Sequence, residues 1–320
     1  MWSLKIRMYL LTAILFAVIY AIISMISAYL GIGNFYFYLV LSLVIMLGQY
    51  MLGPKIVEWT MRVKYLGDDE RPELHDMVKS LAVAAKVPVP RIGIAQISVP
   101  NAFAFGRTLK DSRICVTEGI LNLLDEEELK AVIGHEMSHI KNRDVLTITL
   151  LSVIPMILYR IAWQFMFFGN RREREGPNVV LIGVVAFIFY FLTNLLVLYA
   201  SRIREYFADK GSVDLGNNPS RLASALYKLV YGSARMPREA LKDVEGMKAF
   251  FANDPSRALA DFRDLRQLDL DGSGTISVSE LDALRTKDIK LNFGDKMLEL
   301  LSTHPNMLKR IKRVSNWDKE

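Results

Sequence analysis

Two of the chain's four histidines, His135 and His139, stand four residues apart around Glu136 in the run Ile133-Gly-His-Glu-Met-Ser-His-Ile140. On a helix, positions four apart differ by about 40°, so both imidazoles leave one face and can clamp a single tetrahedral Zn²⁺. Glu136 lies next to the first ligand and reaches a metal-bound water rather than the metal. Zinc polarises that water, and the glutamate takes its proton. The neighbours Val132, Ile133, Met137 and Ile140 make the helix substantially buried. Unpaired histidines would be costly there, which argues against a surface helix that carries two by accident. Asp125 supplies the N-cap, with Glu128 three residues on, close to a capping box.

A catalytic zinc needs a third protein ligand and an open fourth position. The run Ser201-Arg-Ile-Arg-Glu-Tyr-Phe-Ala-Asp-Lys210 places Glu205 and Asp209 four apart on a helix face. Glu205 would complete a His₂Glu set, and Asp209 would orient a ligand histidine from behind. Spacing alone leaves a second reading open, a juxtamembrane charged helix with Arg–Glu pairs.

A different pattern occupies Asp269-Leu-Asp-Gly-Ser-Gly-Thr-Ile-Ser-Val-Ser-Glu280. This is a twelve-residue EF-hand loop: Asp269, Asp271 and Ser273 at positions one, three and five, Gly274 at the sharp turn. Thr275 offers a backbone carbonyl, Ser277 stands at nine, and Glu280 at twelve can be bidentate. Ser at position five leaves three carboxylates, and no second loop pairs with it. The site is therefore expected to hold Ca²⁺ weakly, with Mg²⁺, or no ion and a retained shape, as the alternatives.

These motifs need elements to position them. The chain has 320 residues, 52% of them hydrophobic and 23% charged, with a net charge of +6 and a mean hydropathy of +0.22. That mixture excludes a disordered chain and points to a membrane protein with a sizeable soluble part. No basic run with interleaved aromatics marks a nucleic-acid partner. The lone Cys115 excludes an intrachain disulfide and reads as a buried structural thiol. Four apolar runs stand out: Met8–Leu30, Phe35–Leu52, Val145–Gly169 and Val179–Ala200. A bilayer core needs about 20 such residues. The first run exceeds a signal peptide's apolar region and is followed at once by a second, so it reads as an uncleaved anchor.

Lys5 and Arg7 ahead of the first span, and Lys55, Arg62 and Lys64 after the second, put the N-terminus and the soluble part in the cytoplasm. The loop Arg171–Glu175 carries three arginines on the opposite side and disagrees. Either the first hairpin dominates, or the third and fourth segments do not cross fully. Arg160 inside the third run reads equally as functional or as snorkelling to one face. The expected organisation is a transmembrane hairpin (1–54), a first catalytic part (55–144), a second hydrophobic hairpin (145–200) and a second catalytic part (201–320) that contains the EF-hand-like insert (253–290).

The ordered set of two N-terminal spans, HEMSH, a second hydrophobic pair, SRIREYFAD and STHPNMLKRI resembles the HtpX family of membrane zinc endopeptidases, related to the CAAX prenyl proteases. The resemblance covers nearly the whole chain apart from the insert. It implies a mainly α membrane protein: four hydrophobic helices plus a cytosolic α+β zincin-like (gluzincin) catalytic domain. It implies one catalytic zinc held by His135, His139 and Glu205, with Asp209 behind them. Asn101-Ala-Phe-Ala-Phe-Gly106 resembles the family's segment beside the active site. As an edge strand, Asn101, Ala102, Phe103, Ala104 and Phe105 would bind extended substrate; an ordinary core strand is the other reading. By the same resemblance, His304 and Arg310 reach the site and support the oxyanion, although His304 also suits a helix cap before Pro305. His75 reads as solvated.

The expected sheet uses Arg91–Ala95, the Asn101 segment and Ile114–Thr117. The substrates implied by the resemblance are unfolded or damaged membrane proteins, cut at the cytosolic face of the plasma membrane. The rivals are processing of prenylated C-termini and, in another class, a non-enzymatic Ca²⁺ sensor with a structural zinc. A transporter is disfavoured by the absence of inverted repeats.

Overall fold

A computed structural model describes residues 35–167, 178–243, 258–265, 268–286 and 293–317. The expected span Met8–Leu30 and the loop Arg171–Glu175 lie outside them. The chain divides into two units, 1–51 and 52–320. The described part of the first is helical and belongs to helix α1 (Phe35–Thr60). That helix covers the second expected span and continues past Pro54, beyond the hairpin boundary read from the sequence.

In the second unit, β1 (Val63–Tyr65), β2 (Arg91–Ala95), β3 (Ala102–Gly106) and β4 (Ser112–Thr117) form one sheet in the order β1-β2-β4-β3. β2 runs parallel to β4, while β1–β2 and β3–β4 are antiparallel. β1 is an addition to the three strands expected. β4 is buried along its whole length, which suits the unbroken run Arg113-Ile-Cys-Val116. Side chains alternate across the strands. One face, with Ile92, Ala102, Ile114 and Val116, packs on α2 (Pro72–Ala85) and on the helix that carries the histidines. The other face, with Phe103, Phe105 and Cys115, packs on Val57 and Met61.

After the short α3 (Glu118–Leu123) come α4 (Glu126–Lys141), α5 (Asp144–Phe167) and α6 (Asn178–Asp214). α5 and α6 correspond to the third and fourth apolar runs and lie side by side. Among the described residues one stretch, Leu181–Asp214 within α6, is long and apolar enough to cross a membrane; the apolar run in α5 is shorter, Ile154–Trp163. Of the four expected spans, the fourth meets this measure among the described residues, and the first lies outside them. α6 has 37 residues, about 55 Å at 1.5 Å per residue, against about 30 Å of bilayer core. Its surplus length carries the Ser201–Lys210 motif past the charge-free run that ends at Ala200.

The chain then folds back as α7 (Pro219–Arg235) and α8 (Arg238–Asp243), followed by α9 (Ala258–Leu265), α10 (Val278–Thr286), α11 (Phe293–Leu300) and α12 (Met307–Ser315). A second core joins Leu222, Leu226 and Val230 of α7 to Leu308, Ile311 and Val314 of α12. Leu265, Ile276, Leu281 and Leu284 of the EF-hand-like insert belong to this same core, so the insert is packed into the domain.

Candidate active site

The site is built where α4 crosses the far end of α6. α4 begins with the expected capping box: Asp125 accepts from the Glu128 N–H at 2.9 Å, and Glu128 accepts from the Asp125 N–H at 3.0 Å. The other Glu128 contacts bind α4 to α7, since its buried carboxylate also accepts from Ser224 Oγ at 2.6 Å and Lys228 Nζ at 2.8 Å. Glycines permit the crossing with α6. A Cβ on Gly134 would sit 2.2 Å from Asn217 Nδ2, and one on Gly211 would sit 2.1 Å from Ser138 Oγ. Ser212 Oγ donates across the same contact to the Ala131 carbonyl at 2.6 Å.

This crossing brings His135, His139 and Glu205 together, with one donor atom from each inside a 4.8 Å cluster. The two Nε2 atoms are 3.1 Å apart. Two nitrogens bound tetrahedrally to zinc at about 2.0–2.1 Å would be about 3.3 Å apart. Glu205 Oε2 is 3.7 Å from His135 Nε2, and Oε1 is 3.6 Å from His139 Nε2. The opposite ring nitrogens face carboxylates: His135 Nδ1 is 2.9 Å from Asp209 Oδ1, and His139 Nδ1 is 2.6 Å from Asp144 Oδ2. A carboxylate facing each Nδ1 favours the tautomer with the proton on that nitrogen and an Nε2 lone pair turned inward. Two lone pairs and a carboxylate aimed at one point repel one another unless a cation sits among them. The donor set fits zinc.

Asp144 was not among the sequence candidates; it stood there as the last residue of the first catalytic part. The available signal was an aspartate five residues after His139 at the start of an apolar run. Arg204, read from sequence as one of a set of juxtamembrane charges, pairs through Nη2 with Asp144.

Glu136 is 5% exposed and its Oε2 accepts from the backbone N–H of Ala104 at 2.8 Å. Burial pushes its pKa up, and the neighbouring His139 and His135 pull against that rise. Ala104 lies in β3, one of the two edge strands of the sheet, and a cleft beside it is lined by Phe105, Arg107, His139, Arg143 and Leu146.

The five substrate-binding candidates divide. Asn101 is fully buried and its N–H donates to Thr117 Oγ1 at 2.8 Å. Ala102 packs on the α4 face of the sheet. Phe103 and Phe105 are 2% and 5% exposed on the opposite face, with ring centroids 5.7 Å apart. Strand alternation turns both phenyl groups to the sheet face that packs on Val57 and Met61. The backbone N–H of Ala104 donates to Glu136.

His304 Nε2 lies 3.9 Å from Glu205 Oε1, with Nδ1 3.0 Å from Thr303 Oγ1. Arg310 is fully buried. Its Nε and Nη2 donate to the two oxygens of Asp209 at 2.9 and 2.7 Å, and Nη1 is 3.2 Å from Glu205 Oε2. Burial alone would lower its pKa; Asp209 and Glu205 more than offset that and hold the guanidinium charged. Arg310, expected from the resemblance to support an oxyanion, here grips the carboxylates of Asp209 and Glu205. Arg202 Nη1 donates to the carbonyls of Glu299, Leu300 and Ser302 at 2.9, 3.1 and 2.7 Å, which fixes the segment leading to His304. His75 is half-buried, with Nε2 3.0 Å from the Gly67 carbonyl and no part in the site. Arg160 is half-buried in α5.

In the insert, Asp269, Asp271 and Glu280 also bring carboxylate oxygens within 4.8 Å of one another. Glycine is required at its turns, with φ of +70° at Gly272 and +78° at Gly274. The loop is largely satisfied from within. Gly274 N–H donates to Asp269 at 3.0 Å, Ser273 N–H to Asp271 at 2.9 Å, and Leu270 and Ser277 N–H to Glu280 at 2.6 and 2.8 Å. Ser277 and Glu280 form a capping box for α10, and Thr275 accepts from Ser273 Oγ at 3.4 Å. Asp269 Oδ1 is buried with no hydrogen-bond partner.

Residues 68–318 match the profile of peptidase family M48. A protein of Methanothermobacter thermautotrophicus described as "Protease HtpX homolog" is 53% identical over 229 residues, covering 72% of this chain and 86% of that protein. "Protease HtpX homolog 2" of Methanosarcina mazei is 31% identical over 314 residues, covering 97% and 94%. The fold is similar to the crystal structure of S. mikatae Ste24p, with a TM-score of 0.53 at 16% identity, over 97% of this chain and 65% of that one.

Proposed function

This chain belongs to peptidase family M48, among the HtpX proteases, and is by that membership a metallopeptidase; we propose that it cuts polypeptides beside a membrane, using zinc on His135, His139 and Glu205 and Glu136 as general base. The observation that carries this reading is the convergence of two Nε2 lone pairs and the Glu205 carboxylate, each backed by its own partner. Zinc held by these three residues would supply Lewis acidity for activating water and polarising the scissile carbonyl. Glu136 Oε2 is held by the Ala104 N–H, which leaves Oε1 to take the water's proton and hand it to the departing amine. His304, with Nε2 3.9 Å from Glu205 Oε1, would donate a hydrogen bond to the developing oxyanion. Arg310 and Asp209 position the ligands. β3 offers an extended substrate its outer backbone edge, which recognises main chain more than side chains.

The substrates in this reading are unfolded or damaged membrane proteins, cut at the cytosolic side of the plasma membrane in a quality-control or stress-response role. What supports it is α6, which passes without a break from an apolar stretch into the Glu205 motif. A non-enzymatic sensor is disfavoured by membership of a peptidase family, and nothing in the site favours prenylated C-termini.

The test is cleavage of an unstructured protein by the full chain in detergent with Zn²⁺ supplied. Glu136→Gln is expected to keep zinc and lose about 10²–10⁴-fold in rate. Equal cleavage by both proteins would overturn Glu136 as the base.

A second reading concerns the insert: loop 269–280 takes a divalent cation, with Ca²⁺ first. Three converging carboxylates and the unpartnered Asp269 Oδ1 support it. The insert shares a core with α12, which carries Arg310, so an ion there would stiffen the support of Glu205.

A further inference from the structure

We infer that Asp144 is a positioning residue for His139, held in place by Arg204, and that this pair locks the base of the α5–α6 hairpin to the zinc ligands. The inference rests on the zinc reading above. Asp144 is the first residue of α5 and is 8% exposed. Its Oδ2 lies 2.6 Å from His139 Nδ1, five residues back in the chain. α4 ends at Lys141, and reaching back over so short a span requires a sharp reversal. Arg143 makes it with φ of +54°, a left-handed conformation that costs an arginine roughly 1 kcal/mol or more. A strained turn of this kind persists only where its surroundings hold it. Here the Asp144 carboxylate is held on both sides.

The second hold is Arg204. Its Nη2 pairs with Asp144 and also donates to the Asn142 carbonyl at 3.2 Å, so it grips the turn at two points. Arg204 directly precedes Glu205 in α6. One arm of the hairpin therefore begins with the residue that orients a ligand histidine. The other arm ends with the ligand glutamate and the arginine that binds that orienting residue. Asp144–Arg204 closes the loop between the two halves of the motif without touching the reacting atoms. A carboxylate on a ligand imidazole fixes its ring and tautomer, and losing such a partner weakens metal binding about 10–100-fold.

The test measures zinc transfer from the purified full chain in detergent to a chromophoric chelator, alongside thermal midpoints. Wild type is expected to hold one zinc. Asp144→Asn is expected to release it about 10–100-fold more readily. Arg204→Gln, which leaves Asp144 intact, should give a smaller increase in the same direction, and Arg204→Lys should restore most of it. A role in folding alone would lower the midpoint without changing zinc release from the folded fraction. Release from both Asp144→Asn and Arg204→Gln at the wild-type rate would overturn the inference while leaving the zinc site standing. A wild type that holds no zinc would overturn the zinc reading and this inference with it.

Discussion

Arg310 and Asp209 form a two-pronged ion pair with both side chains fully buried, at 2.9 and 2.7 Å. They come from helices about a hundred residues apart in the chain, α6 and α12. Asp209 in turn faces His135, and Arg310 also reaches Glu205. The pair therefore sets a ligand on each side of the site and ties the C-terminal helix to it.

Removing the arginine would strand two buried carboxylates. Arg310→Ala is expected to lose about 3–5 kcal/mol, the range for breaking a buried pair. Arg310→Lys keeps the charge without the fork and should fall between the two. Thermal unfolding and zinc content in detergent decide this. An alanine variant with the wild-type midpoint would show that the pair contributes no stability.

The crossing of α4 and α6 depends on the absence of a side chain at Gly211. A Cβ there would lie 2.6 Å from Ser138 Cβ. Gly211→Ala is expected to cost about 1–3 kcal/mol through overpacking and to spread His135 from Glu205. Ser138→Gly in the same chain should restore both stability and cleavage, because it removes the colliding atoms. Failure of the double variant to recover would place the strain elsewhere.

Asp111 provides a pH test away from the metal. Hydrogen bonding from Arg107 Nε, at 2.7 Å, lowers its pKa, and Arg113 Nη1 at 3.0 Å adds to this against the effect of burial. A carboxylate whose folded pKa lies below its unfolded value of about 3.9 stabilises the fold above that pH. Its contribution is lost as the pH falls through the folded value. Asp111→Asn should therefore lower the unfolding free energy at pH 7 by on the order of 1 kcal/mol, read from thermal unfolding. The gap to wild type should close as the pH drops below about 4. A gap of constant size at all pH values would assign the effect to shape rather than charge.

The cation loop is checked by Ca²⁺ titration followed through the thermal midpoint. A single site with three carboxylates is expected to respond at about 10⁻⁴–10⁻³ M. Glu280→Gln should abolish the response while keeping the α10 cap, since Gln also serves in a capping box. An unchanged midpoint in saturating Ca²⁺ would leave the loop as a packing element.

The zinc motif was legible because it is local. Helical spacing sets His135 beside His139, and the Asp125–Glu128 cap starts that helix from four consecutive positions. The β-strands around Cys115 were legible for a similar reason: period-two patterning acts over a few residues. Glu205 was less so, since its spacing to Asp209 fits a charged surface helix as well as a ligand, and only the ordered set of motifs favoured one. The direction of Phe103 and Phe105 was not legible at all. Alternation says that neighbours face opposite ways, but which face meets α4 is decided by packing against Val57 and Met61.

The sequence by itself determined which residues are candidates to bind and react, because ligand spacing and caps are properties of short stretches of helix. Tertiary structure alone decided what supports them. Asp144 reaches His139 only through the reversal at Arg143, Arg204 meets Asp144 only when α5 and α6 lie side by side, and Arg310 meets Asp209 only when α12 closes on α6. Such contacts join side chains whose separation along the chain carries no spacing signal. Burial makes them strong, and burial is a property of the assembled fold.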